Sequence, residues 1–84
     1  MTQFDGLTVG PRALYDIARE IRSDWRKVNF AAVPYLDAMS TLGHVSDAFG
    51  YDSGDSIVRY FLSNATTWRG DVARRVKAEL KAML

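Results

Sequence analysis

Eight apolar residues in the last third of the chain, Ile57, Phe61, Ala65, Trp68, Val72, Val76, Leu80 and Leu84, follow one another at steps of three or four. That spacing places them along one side of a helix. A strand, whose side chains alternate with a period of two, cannot gather them on one face. The pattern leaves open whether the segment is one long helix or two. A continuous helix of about thirty residues would span roughly 45 Å, longer than a domain of this size is wide, and would imply a partner chain. Between the halves lies Ser63-Asn64-Ala65-Thr66-Thr67, whose side-chain oxygens compete with helical hydrogen bonds. Two helices are therefore expected, with Thr66 or Thr67 capping the second.

The same period appears upstream, where Leu14, Ile17, Ala18, Ile21, Trp25 and Val28 mark a helix beginning at Pro11. Asn29 can stop it, and Pro34, which donates no backbone hydrogen bond, fits the first turn of a second helix starting near Val33 and ending at Gly43. The HVSDAFG stretch reads as one short helical turn and YDSGDS as a loop, with Ser53 or Asp55 capping the next helix. Residues 1–10, MTQFDGLTVG, carry two glycines and no helical period, and read as an irregular arm. No segment alternates long enough to suggest a strand. The expected fold is all-α, a compact bundle of three to five helices over residues 11–84.

A chain of 84 residues builds one core, and with 48% hydrophobic and 25% charged residues it belongs among folded rather than disordered sequences. It has no cysteine, so no disulfide or thiolate chemistry is open to it, and no apolar run long enough to cross a bilayer. The amino terminus lacks the basic-then-apolar layout of a secretory signal, so a cytoplasmic setting with no membrane partner is expected.

The net charge of +1 conceals a segregation. Residues 29–58 hold four acids (Asp37, Asp47, Asp52, Asp55) and no base, whereas residues 59–84 hold six bases and two acids. Such an arrangement can neutralise itself within a monomer, across a dimer, or against another partner. Arg74, Lys77 and Lys81 share one face of the last helix, with Arg75 beside them and Arg69 a turn earlier. That face suits an acidic partner or nucleic-acid phosphates, and the helices on either side of the expected break resemble a helix-turn-helix. Its bland counterpart is a solvated charged face.

Chemistry of a covalent kind finds little support. His44 is the sole histidine, and Ser40 and Asp47 near it are what any chain with one histidine would offer. Asp47, Asp52 and Asp55 flank a glycine-containing loop but miss the alternating ligands and closing glutamate of a calcium loop. No glycine pattern suits a nucleotide phosphate. No catalytic, metal or cofactor residue is assigned, and the chain reads as non-enzymatic. Ten aromatics exceed what so small a core readily hides. Trp25 and Trp68 sit on apolar stripes, for which packing is the default role. Tyr35, Tyr51, Tyr60 and Trp68 are the aromatics selected as a protein interface.

The stretches DAMSTL and RYFLSNATTWRGDVARRVKAELKAML resemble small uncharacterised proteins encoded by bacteriophages of actinobacteria, a likeness running from about Arg12 onward. The resemblance carries no catalytic signature. It implies the cytoplasm of a bacterial host and roles such as self-association, binding a host protein or modulating nucleic-acid transactions. The sequence is thus read as an accessory protein acting by protein–protein association, with nucleic-acid binding through the basic helix as the alternative.

Overall fold

The computed structural model describes residues 11–84; the arm expected over residues 1–10 lies outside the described residues. Four α-helices run in order: α1 (Leu14–Asp24), α2 (Val33–Met39), α3 (Gly54–Ser63) and α4 (Asp71–Ala82). A 3-10 turn, Phe30–Ala32, leads into α2, and two short strands, β1 (Ala48–Phe49) and β2 (Asp52–Ser53), precede α3. The fold is mostly helical but not purely so, which corrects the all-α expectation.

The strands pair antiparallel, Ala48 with Ser53 and Phe49 with Asp52, around the two-residue loop Gly50-Tyr51. Gly50 takes φ +63° while Tyr51 does not share the positive φ. A glycine at the first loop position with positive φ is what the tight II′ hairpin requires. A helical turn and an open loop were expected here, on a glycine-, serine- and aspartate-rich composition that serves loops and hairpins alike. The pairing covers only two residues per strand, too short to leave an alternating pattern.

Helix α1 starts three residues later than its proline suggested, because Ala13 is extended (φ −66°, ψ 143°). The first amides of α1 are taken up from outside the helix: Leu14 N–H donates to Gly43 O at 3.1 Å and Tyr15 N–H to Leu42 O at 2.9 Å. It also ends early, at Asp24, where Trp25 leaves helical geometry (φ −91°, ψ 85°). That departure turns the indole into the core, stacked on Trp68 with ring centroids 5.8 Å apart and edge-on to Phe61 at 6.2 Å. Helix α2 begins at Val33 with Pro34 in its first turn, as expected, but stops at Met39 rather than Gly43.

The break between α3 and α4 is present. Ser63 Oγ donates to Arg59 O at 3.1 Å and Asn64 Nδ2 to Tyr60 O at 2.8 Å, so short polar side chains engage the last carbonyls of α3. Neither Thr66 nor Thr67 caps α4; its N-cap is Gly70. Ser53 caps α3, its hydroxyl accepting from Ser56 N–H.

The core unites Leu14, Ile17 and Ile21 of α1, Leu36 and Met39 of α2, Ile57, Val58 and Phe61 of α3, and Val76 and Leu80 of α4, all essentially inaccessible. Burying each such side chain contributes about 1.5–3 kcal/mol. Among the described residues no polar or charged residue is buried, so the core asks for no internal ion pairing.

Candidate interaction site

Charged side chains of α4 divide between two settings. On the side facing α1, Arg12 holds Glu79 with two hydrogen bonds, Nε to Oε2 at 2.8 Å and Nη2 to Oε1 at 2.7 Å. Its Nη2 also reaches Glu20 Oε1 at 2.8 Å, and Glu20 in turn pairs with Arg75. Arg75 is therefore committed within the molecule, because α1 brings Glu20 against it. The guanidinium partners hold the Glu79 and Glu20 carboxyls below the usual glutamate range, Arg12 acting first on Glu79 and Arg75 first on Glu20.

A folded pKa below the unfolded value makes this network stabilising above the ordinary glutamate pKa of about 4.3. The contribution is lost as pH falls through the folded value. Removing the charge with Glu79→Gln is expected to cost about 0.5–1 kcal/mol near neutrality, as suits a partly solvated pair, and to flatten the acid limb of the melting-temperature profile. Thermal melts from pH 7 down to pH 3 check this; identical profiles for the two proteins would dismiss the network as a stabilising element.

The opposite setting lies at the amino end of α4, where Trp68, Arg69, Gly70, Ala73, Arg74 and Lys77 line an open groove of about 240 Å³. Lys77 Nζ donates to Trp68 O at 2.6 Å and stands 5.8 Å above the indole ring. Burial, with the neighbouring charges of Lys81 and Arg69, lowers its ammonium pKa. Arg74 pairs with the exposed Asp71 one turn away, and Arg69 makes no ion pair among the described residues. The five-residue basic face expected from spacing thus survives as Arg69, Arg74 and Lys77 around the groove, with Lys81 exposed farther along α4. The helix-turn-helix comparison fares less well: residues 64–70 make a seven-residue connection, longer than the three or four residues of that motif.

Trp68, selected as an interface aromatic, is only 2% exposed. The reason is the three-ring cluster with Trp25 and Phe61, completed by Trp68 Nε1–H donating to Asp24 Oδ2 at 2.8 Å. The three tyrosines remain at or near the surface. Tyr35 of α2 is half-buried and packs against the exposed Tyr60 of α3, centroids 5.4 Å apart, while Tyr51 at the hairpin loop is fully exposed.

Three aromatics not selected from the sequence join them. Phe30 is 90% exposed, and Tyr15 of α1 and Phe49 of β1 are also exposed. Phe30 stands on ordered backbone: Asn29 Oδ1 accepts from Ala31 N–H at 3.2 Å and Asn29 Nδ2 donates to Asn64 O at 3.1 Å. Because Asn64 is the C-cap of α3, this bond ties the residue before Phe30 to the carboxyl end of that helix. The available signal was that Phe30, between Asn29 and Pro34, belongs to neither apolar stripe.

The residues considered for acid–base work do not converge. His44 Nδ1 lies 2.9 Å from Ser46 Oγ, while Asp47 Oδ2 accepts the backbone amides of Gly43 and His44 at 3.0 and 2.9 Å. Ser40 Oγ donates to Leu36 O in its own helix. Asp55 is held by Ser53 Oγ and Ser56 N–H, and among the described residues no group of three His, Cys, Asp or Glu is placed to hold a metal ion. No helix of the described residues is long and apolar enough to cross a membrane.

The chain is a small, mostly helical protein with exposed aromatics and a basic groove at the amino end of α4. No protein-family model matches it, and no curated protein or solved structure does either. The phage resemblance therefore rests on the wording of the sequence alone.

Proposed function

We propose that this chain works non-covalently, as a protein-association module. The observation that carries the reading is the set of aromatics left outside the core, Phe30 above all at 90% exposure, with Tyr51, Tyr60, Tyr15 and Phe49. An aromatic left in water forgoes its burial, and tyrosine and tryptophan are favoured where binding energy concentrates. The partner is a second copy of the chain or, in the setting the resemblance implies, a host protein.

Nucleic-acid binding is the second reading, favoured by Arg69, Arg74 and Lys77 meeting at one groove. Against it stand the commitment of Arg75 to Glu20 and the Asp71 carboxylate beside Arg74. Light scattering on a size-exclusion column, with and without duplex DNA at low and moderate salt, separates the two. Association predicts a mass above the 9.4 kDa monomer that DNA leaves unchanged. A monomer that shifts onto DNA at low salt and leaves it at moderate salt would replace the first reading with the second.

A further inference from the structure

Two surface features of opposite charge occupy opposite ends of α4. At its amino end is the groove bearing Arg69, Arg74 and Lys77 around the Trp68 edge and Ala73. At its carboxyl end, Met83 and Leu84 border a cleft shared with Val45, Ser46, Ser53 and Asp55, the base of the hairpin. The hairpin presents exposed Phe49 and Tyr51, with the exposed Asp52 next to Tyr51 and Asp47 and Asp55 at its base. Arg59 offsets Asp55 in part, leaving the hairpin end acidic.

A molecule cannot close this pairing on itself. The twelve residues of α4 separate the two features by about 18 Å, whereas a hairpin of two residues per strand projects only about 7 Å. The complementary ends remain open toward other molecules.

We propose that the occupant of the groove is the hairpin tip of a second copy, joining chains head to tail. Tyr51 lies over the cations at the groove, as a ring accepts arginine or lysine on its face, and Asp52 meets Arg69, which has no ion pair of its own among the described residues. Such a contact is heterologous, so each chain offers one tip and one groove and assembly continues past the dimer unless the rotation closes a ring. The inference rests on the association reading and names its partner.

The test uses two half-blocked chains. Tyr51→Ser with Asp52→Lys removes the tip and keeps the groove; Arg69→Glu with Arg74→Glu removes the groove and keeps the tip. All four side chains are exposed, so both proteins fold, which circular dichroism verifies. The expected result by light scattering is a concentration-dependent series for the unsubstituted chain. Each blocked chain alone needs about tenfold or more concentration to associate, and their equimolar mixture forms a dimer of one of each and nothing larger. Salt weakens assembly throughout.

Wild-type assembly by either blocked chain alone, or a mixture that stays monomeric, overturns the pairing. A third variant, Phe30→Ser with Tyr60→Ser, keeps the outcomes apart. If it alone abolishes assembly, the association reading stands on the exposed Phe30 and Tyr60 and the head-to-tail contact falls. A chain monomeric at every concentration and indifferent to DNA overturns the pairing and leaves association with a different protein. A mass shift on duplex DNA that Arg69→Glu with Arg74→Glu abolishes gives the groove to nucleic acid and overturns both.

Discussion

Replacing Trp68 with alanine removes most of the protein's stability, leaving from a few per cent to about half of the molecules unfolded in water. The indole is buried, stacked on Trp25, edge-on to Phe61, and anchored by its Nε1–H to Asp24. Truncating a buried tryptophan costs about 3–5 kcal/mol, because the transfer energy is lost and the cavity only partly collapses. A domain of this size has a net stability of about 5 kcal/mol, so the substitution consumes most of it. Urea denaturation followed by circular dichroism measures the loss. Trp68→Phe keeps a ring in the stack but gives up the bond to Asp24, and is expected to cost about 1–2 kcal/mol. A Trp68→Ala unfolding free energy within about 1 kcal/mol of wild type would mean that the three-ring cluster does not hold the α1 end to the α3–α4 connection.

Gly54→Ala is expected to destabilise by about 2–3 kcal/mol, although alanine ordinarily favours a helix over glycine by about 1 kcal/mol. A methyl group at this position would stand 2.8 Å from Val45 O and 2.9 Å from both His44 O and Val45 Cα. All three are backbone atoms, so no side chain can swing aside. The start of α3 would have to retreat from the 44–47 turn, stretching the bonds from Gly54 N–H to Asp47 O at 2.7 Å and from Asp55 N–H to Val45 O at 2.9 Å. Thermal melting of the variant decides the sign. A rise in midpoint would show that helix propensity outweighs this close approach.

The two expectations differ in how much of their basis is visible in the sequence. Trp68 sits on the apolar stripe of the last third, so its role in packing was legible from spacing. Gly54, between Ser53 and Asp55, looks like loop material, and only the folded chain brings it against His44 and Val45. The hairpin escaped for a related reason: two residues per strand are held by pairing and by Gly50, with no periodicity to announce them.

The candidate site was legible in part. Spacing found the cations of α4, but could not know that α1 would supply Glu20 to Arg75 and that Arg12 would reach Glu79, 55 and 67 residues away. Once those contacts form, one basic face becomes an internal network and a separate groove. The exposure of Phe30 had one signal, its place outside both apolar stripes, whereas the bond from Asn29 to Asn64 beside it joins residues 35 apart in the chain.

What the sequence alone determined is local: the helical period of the main segments, the proline that starts α2, a cap at Ser53 or Asp55, and the polar break after Ser63. These features arise from backbone geometry and from side chains that reach only a turn or so along the chain. What the tertiary structure decided is where α1 begins and ends, which arginines are spent inside the molecule, which aromatics stay in water, and that the acidic hairpin and the basic groove lie at opposite ends of one helix. Each depends on groups far apart in the chain, whose meeting is set by how the helices pack rather than by anything a few neighbouring residues encode.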